Sequence, residues 1–133
     1  MKRVIQRDYE NGDCGIACVA MLSGLSYKKV HDVALQLGLK SPEGTYYTKH
    51  KDLKGLLSQL GVNSGLKHFK TMREVMPNSI VAVNRRKSGH WHWIVITTSR
   101  TGAVLLLDPN PKKPSRIESL KGYIGFGRYV HCS

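Results

Sequence analysis

The chain has 133 residues, of which 41% are apolar, so it is long enough to bury a core and short enough to be one domain over residues 1–133. Its 21 Lys and Arg against 9 Asp and Glu give a formal net charge of +12, which favours an anionic partner without identifying it. Residues 1–5 lack the pattern of a secretory signal, and no apolar run is long enough to span a membrane, so we expect a cytoplasmic location.

Helical spacing of apolar residues governs the first half of the chain. It predicts three helices and a short fourth, over residues 14–23, 26–37, 49–60 and 68–76. Thr48 is the expected N-cap of the third helix, and residues 40–47 are expected to form a loop.

β-branched and aliphatic residues dominate the second half and change its period from that of a helix to that of a strand. They predict strands over residues 79–84, 92–98, 103–107 and 125–131. Residues 99–102 are expected to form the turn of a hairpin, and a further helix is expected over residues 115–121. Helices followed by an antiparallel sheet indicate an α+β fold.

The three cysteines are an odd number, which argues against a framework of disulfide bonds in a chain of this size. Cys14 and Cys18 are four residues apart and share one face of the first predicted helix. A metal site needs more ligands than these two, so we expect Cys18 to lie in the core and predict neither a metal nor another cofactor.

Cys14 is the strongest candidate for a nucleophile because it begins the first predicted helix. Free N–H groups and the positive end of the helix dipole favour a thiolate at this position, and the same groups can bind an oxyanion. We expect Asp13 to be the N-cap of this helix and Gly15 to let a substrate approach closely. An inert cysteine in the core is the alternative.

A nucleophilic thiol needs a base, and the chain has six histidines. His90 and His92 differ from the others because they lie at the start of the strongest predicted strand, where alternation places them on one face. The hairpin returns Asp108 toward the start of that strand, where a carboxylate would orient an imidazole. For the two histidines the alternative is a zinc site, but the sequence offers no third ligand for it. For Asp108 the alternative is an ordinary turn residue before a proline.

These segments together resemble the papain-like bacteriocin-processing peptidases, which remove double-glycine leader peptides and are fused to export transporters. The resemblance covers most of the chain and rests on Gln6, Asp13-Cys14-Gly15-Ile16-Ala17-Cys18-Val19-Ala20-Met21, His92-Trp93-Ile94-Val95-Ile96 and Asp108-Pro109. It implies a papain-like fold, with helices packed on a C-terminal antiparallel sheet, and a cysteine peptidase that acts on a peptide or protein substrate.

By position, the resemblance implies that Cys14 is the nucleophile, His92 the general base and acid, and Asp108 the residue that orients the imidazole. Gln6 would be an oxyanion donor beside the Cys14 amide. The interval between Gln6 and Cys14 is longer than the family usually has, so it stays open whether Gln6 reaches the site. His90 competes with His92 for the role of base, and only geometry can decide between them.

We therefore predict hydrolysis of a peptide or amide bond through a thioester acyl-enzyme. No transporter sequence follows, so the substrate need not be a leader peptide. Two other classes stay open because of the positive charge. One is a basic module that binds nucleic acid without catalysis, and the other is a toxin-like enzyme that uses the same residues on RNA.

Overall fold

Three helices and a five-stranded sheet make up the computed structural model, which describes all 133 residues and confirms the α+β class. The helices are α1 (Cys14–Ser23), α2 (Tyr27–Gln36) and α3 (His50–Gln59). The strands are β1 (Ser64–His68), β2 (Ser79–Val83), β3 (His92–Thr98), β4 (Val104–Leu107) and β5 (Gly125–Cys132). None of the helices has both the length and the apolar character that crossing a bilayer requires.

All strand pairs in the sheet are antiparallel, and the strand order is β1-β5-β2-β3-β4. The predicted hairpin joins β3 to β4, with Val95 opposite Leu107 and Thr98 opposite Val104. Its turn is closed by the Ser99 N–H, which donates to the Ala103 carbonyl at 2.8 Å. Strand β5 therefore lies inside the sheet, between two strands that come before it in the sequence.

Apolar residues cover both faces of the sheet. One face carries the helices, whose fully buried side chains pack against Ile80, Ala82, Trp93 and Val95 of the central strands. The other face carries a smaller cluster that includes Val81, Val83, Ile94, Ile96 and Leu106. The segments 69–75 and 117–123 supply the apolar side chains that cover this second face. Burial on both sides explains why β2 is a continuous apolar run rather than an alternating one.

Two of the predicted helices do not form. Residues 68–76 contain only a 3-10 turn at Met72–Glu74, because the chain before it is strand β1, which pairs with β5. Residues 115–121 are extended enough for Ile117 to form an antiparallel bridge with Leu106. The two backbone bonds of this bridge, 2.8 and 3.1 Å long, satisfy groups on the outer edge of β4 that would otherwise be free.

Thr48 also has a different role from the one predicted. The N-cap of α3 is Lys49, whose N–H donates to the Asp52 carboxylate at 2.8 Å. The Thr48 hydroxyl instead accepts a hydrogen bond of 2.9 Å from the indole N–H of Trp93. A buried indole needs an acceptor, and this one ties the start of α3 to strand β3.

Candidate active site

A cleft of about 760 Å³ opens where the start of α1 meets the start of β3 and the end of β4. All four residues of the predicted site, Gln6, Cys14, His92 and Asp108, line this cleft. The Cys14 side chain is nearly buried, at 6% exposed. Residues 92 and 108 are 16 positions apart in sequence, and the β3–β4 hairpin is what brings them together.

His92 and Asp108 are in direct contact in the cleft, with 2.6 Å between Nε2 and Oδ1. The strand register explains it. Because Val95 pairs with Leu107, Asp108 continues β4 opposite residue 94 and lies on the same face as His92, one diagonal step away. Since Nε2 is engaged by the carboxylate, Nδ1 is the ring nitrogen left for the thiol of Cys14.

The electrostatics of this pair follow from its contacts. Burial would lower the pKa of His92, but its hydrogen bonds with Asp108 and with Cys14 outweigh burial and raise the pKa to about 9. For Asp108 burial would raise the pKa, yet the hydrogen bonds from His92 and from the Asn110 N–H hold it below its ordinary value. At neutral pH the imidazole is therefore protonated and the carboxyl ionised.

Asp108 has further partners that the sequence analysis did not identify. The Tyr123 hydroxyl donates to Oδ2 at 2.8 Å, and the Asn110 N–H donates to Oδ1 at 2.9 Å. Burial and the bond to the carboxylate both raise the pKa of Tyr123, so it stays a donor. The contact between Tyr123 and Asp108 depends on the tertiary structure, and no local sequence pattern predicts it.

Asp13 is the N-cap residue of α1 by position, as predicted, since its carbonyl accepts the first helical bond from the Ala17 N–H at 3.2 Å. Its side chain does not cap the helix, because φ of −82° and ψ of 19° lie outside the extended region typical of an N-cap and the carboxylate accepts no bond from the helix. The carboxylate turns back instead. Oδ2 accepts from the Arg7 N–H at 2.9 Å, the Asp8 N–H at 3.1 Å and the Tyr27 hydroxyl at 2.6 Å. Oδ1 accepts from Nε2 of Gln6 at 3.0 Å.

Gln6 lines the cleft in spite of its long interval from Cys14. The intervening residues include a 3-10 turn at Tyr9–Asn11 that itself lines the cleft, and Gly12 ends that turn in the left-handed region with φ of 81°. The Gln6 backbone N–H donates to the Pro109 carbonyl at 2.8 Å. The residue is thus held by its backbone at Pro109, next to Asp108, and by its side chain at Asp13, next to Cys14.

The geometry favours His92 over His90 as the partner of the thiol. His90 is exposed, its Nδ1 lies 3.2 Å from the Ser88 hydroxyl, and its ring packs edge-on against Tyr47. It makes no contact with Asp108. The two imidazoles therefore have different surroundings, although they are only two residues apart.

Gly15 is needed for packing rather than for the approach of substrate. A Cβ at this position would lie 2.8 Å from the Thr48 hydroxyl and 3.2 Å from Cδ1 of Trp93. The absent side chain lets α1 lie directly against α3 and β3. Trp93 is 2% exposed and packs in the core under the helices, Trp91 is only partly buried against that core, and both line the cleft.

The other two cysteines are buried and do not line the cleft. Cys18 is fully buried, and burial raises its pKa well above the ordinary value. Burial likewise raises the pKa of Cys132 to about 11. All three thiols are free, and only Cys14 lines the cleft. No three side chains of His, Cys, Asp or Glu come together as a metal-ligand set.

Comparisons with known proteins agree with this architecture. The model of the Peptidase C39 family matches residues 2–121. The structure is similar to the peptidase domain of Streptococcus ComA, a bifunctional ABC transporter involved in a quorum sensing pathway. The TM-score is 0.64, with 19% identity over 99% of this chain and 97% of that domain, and it confirms the papain-like fold. No curated protein sequence matches the chain.

Proposed function

Because this chain belongs to the Peptidase C39 family and is a cysteine peptidase, we propose that it cleaves peptide bonds through a triad of Cys14, His92 and Asp108. The observation that carries the proposal is the 2.6 Å contact between His92 and Asp108, with Cys14 as the other hydrogen-bond partner of the imidazole. A nucleophile, a base and a group that orients the base are the three parts that covalent catalysis requires.

The first half of the reaction forms a thioester. Sγ of Cys14 attacks the carbonyl carbon of the scissile peptide, and the carbonyl oxygen becomes an oxyanion held by the Cys14 N–H and by Gln6. As the intermediate collapses, the C–N bond breaks and His92 donates its proton to the leaving amine. The acyl group stays on Cys14.

The second half regenerates the thiol. The neutral imidazole of His92 removes a proton from a water molecule, which attacks the thioester carbonyl. The C–S bond then breaks and the carboxylic acid product leaves. Cys14 is again a thiolate, and His92 keeps the proton that it took from water. Asp108 keeps the ring in one tautomer and stabilises its charged form throughout, which agrees with its burial and its three hydrogen-bond donors.

The charge of the cleft suggests the class of substrate. Arg86, Lys113 and Lys121 line the cleft, and none of them has a carboxylate partner within 4 Å. Apart from Asp108, which already has its own partners, Glu10 is the one carboxylate in the lining. Unpaired cations beside the reacting bond attract acidic groups. We therefore propose that the anionic partner predicted from the net charge is the substrate itself, a peptide with Asp or Glu near the scissile bond.

The triad is tested with a library of internally quenched peptides, from which the peptide cleaved fastest becomes the standard substrate. Cys14→Ala is expected to abolish cleavage. The matched control is Cys132→Ala, which removes a buried thiol that ends strand β5 and does not line the cleft. This variant should keep the parent rate. Equal cleavage by both variants would refute the triad, and RNA cleavage lost with His92→Ala would favour the toxin-like alternative.

The substrate class is tested by replacing cations inside and outside the cleft. Lys121→Ala and Arg86→Ala should each lower kcat/KM about 3- to 10-fold for peptides with Asp or Glu near the scissile bond, and leave neutral peptides unchanged. Arg100→Ala, in the exposed turn of the β3–β4 hairpin, is the control and should change neither. If acidic peptides were cleaved no faster than lysine-containing ones, the proposed substrate class would be wrong while the triad could stand.

A further inference from the structure

The hydrogen bonds of Asp13 divide unequally between its two carboxylate oxygens. Asp13 is 0% exposed and directly precedes Cys14. Oδ2 has three donors, the N–H groups of Arg7 and Asp8 and the hydroxyl of Tyr27, and these fix the carboxylate in place. Oδ1 has one donor, Nε2 of Gln6. One oxygen thus anchors the carboxylate, and the other holds a residue of the cleft.

The Gln6 amide is held in one of its two orientations. A carboxylate accepts hydrogen bonds and cannot donate, so it binds Nε2 and repels Oε1. In the structure Oε1 is buried and has no hydrogen-bond partner. Such an unpaired buried acceptor is unfavourable and persists here only because the opposite orientation would place it against the carboxylate.

One N–H of this amide remains unused. Nε2 carries two protons, and Asp13 accepts one of them. Gln6 and Cys14 line the same cleft, so the second N–H belongs to a donor that has both a fixed orientation and access to the site. A fixed donor is what oxyanion stabilisation needs, because a donor that must reorient during the reaction loses most of its effect.

We propose that Asp13 is a positioning residue, which holds the Gln6 amide so that its second N–H faces the oxyanion formed at Cys14. The proposal rests on the peptidase mechanism given above and extends it by one residue. Asp13 touches neither the substrate nor the reacting atoms. It acts through Gln6.

The substitution Asp13→Asn makes the idea specific. Three donors surround the position of Oδ2, so the amide oxygen of the new side chain stays there and its NH₂ group faces Gln6. Gln6 then lowers its energy by turning its own oxygen toward that NH₂ group, and this moves the N–H groups away from the oxyanion site. Replacing one oxygen of Asp13 by nitrogen should therefore reverse the orientation of the Gln6 side-chain amide.

Kinetics on the standard quenched peptide test this reversal. Asp13→Asn and Gln6→Ala should each lower kcat about 10²- to 10³-fold with little change in KM. The double variant should be no slower than Gln6→Ala alone. Tyr27→Phe removes one donor from Oδ2 but leaves the bond to Gln6, so it should keep kcat within about 3-fold. Unchanged kcat in Asp13→Asn, or additive losses in the double variant, would overturn the proposal.

A second measurement needs neither a substrate nor a folded Asp13 variant. In the parent protein, NMR should show one side-chain N–H of Gln6 protected from hydrogen exchange, with the signal identified by its absence in Gln6→Ala. Where Asp13→Asn folds, that protection should be lost. Rapid exchange of both Gln6 protons in the parent protein would by itself refute the positioning role.

Alkylation separates this proposal from the triad. Iodoacetamide reacts with the thiolate by displacement and forms no oxyanion, so Asp13→Asn should be alkylated at Cys14 at close to the parent rate while hydrolysis is lost. Slow alkylation in the parent protein, rising only near pH 8.5 as for an ordinary thiol, would show that the triad itself is not assembled. Alkylation lost only in Asp13→Asn would mean that Asp13 supports the thiol and not Gln6.

Discussion

Two buried aspartates flank the cleft, and they differ in the kind of donor they bind. Asp108 binds the imidazole of His92, a group that gains and loses a proton. Asp13 binds two backbone N–H groups, an amide and a hydroxyl, all of which stay neutral in the working pH range. The same type of side chain therefore sets a protonation state at His92 and fixes the orientation of an amide at Gln6.

The largest expected effect comes from replacing the aspartate that binds the titrating group. Asp108→Asn should lower kcat by about 10² to 10⁴, because the imidazolium loses its charged partner. It should also move the alkaline limb of the kcat/KM profile from about pH 9 toward the ordinary range of histidine, since the bonds to Asp108 and Cys14 together outweigh burial and raise the pKa of His92 to about 9, and the variant loses the first of them. Rates on the standard peptide between pH 5 and 10 measure both changes.

The distinction between the two aspartates would be wrong if Asp13→Asn and Asp108→Asn shifted the pH profile of kcat/KM in the same way. Asp13→Asn should lower the plateau of the pH profile and leave its alkaline limb in place, because the one titratable group that contacts Asp13 is the Tyr27 hydroxyl, whose pKa is raised by burial and by this bond so that it stays neutral. An alkaline limb that did not move in Asp108→Asn would contradict the assignment of His92.

The second effect is on stability. The pKa of His92 in the folded protein, about 9, lies above the unfolded value of about 6.5. Its stabilising contribution is therefore fully present below about pH 6.5 and is lost as the pH rises through about 9. The free energy of unfolding should fall by up to about 3 kcal/mol over that window, measured by urea denaturation. His92→Gln should remove this part of the pH dependence, and an unchanged slope would contradict the ion pair.

The smallest effects come from the two tyrosines, which form a matched pair. Tyr123 donates to Asp108 at 2.8 Å, and Tyr27 donates to Asp13 at 2.6 Å. Each change to Phe should cost about 1–3 kcal/mol of stability, because a buried carboxylate loses a donor. Tyr123→Phe should also lower kcat several-fold, whereas Tyr27→Phe should not. Thermal denaturation and kinetics on the same samples test the pair, and equal kinetic losses would erase the distinction between the two aspartates.

Local sequence pattern was sufficient for the parts of the fold that form locally. The spacing of apolar residues predicted α1 and α3, and the turn residues predicted the β3–β4 hairpin, which brings Asp108 back toward His92 at the start of β3. Strand β1 was missed because Ser64–His68 has no β-branched residues and forms by pairing with β5, more than 55 positions away. The segment 115–121 was predicted to be a helix from its local sequence. The bridge between Ile117 and Leu106, a tertiary contact, overrides that local preference.

The site divides in the same way. The nucleophile and the hairpin pair follow from position in a helix and a strand, whereas Tyr123 reaches Asp108 from a loop whose path depends on the whole sheet. Asp13 was expected to cap a helix because caps are the usual role of an aspartate there. Its carboxylate instead takes its donors from residues 6 to 8, which precede the 3-10 turn, and from Tyr27 at the start of α2, and no local sequence pattern specifies this set.

Because strand β5 lies between β1 and β2, the sheet can be completed only after the last part of the chain has been synthesised. Cys14 leaves the ribosome early, and α1 to α3 are complete long before residues 125–132 are translated. Until those last residues emerge, β1 has no neighbour in the sheet and β2 has only one, so the sheet that carries His92 and Asp108 is incomplete. The nascent chain should therefore carry a thiol whose imidazole and carboxylate partners are not yet held by a complete sheet, and proteolysis should begin only after translation has passed residue 132.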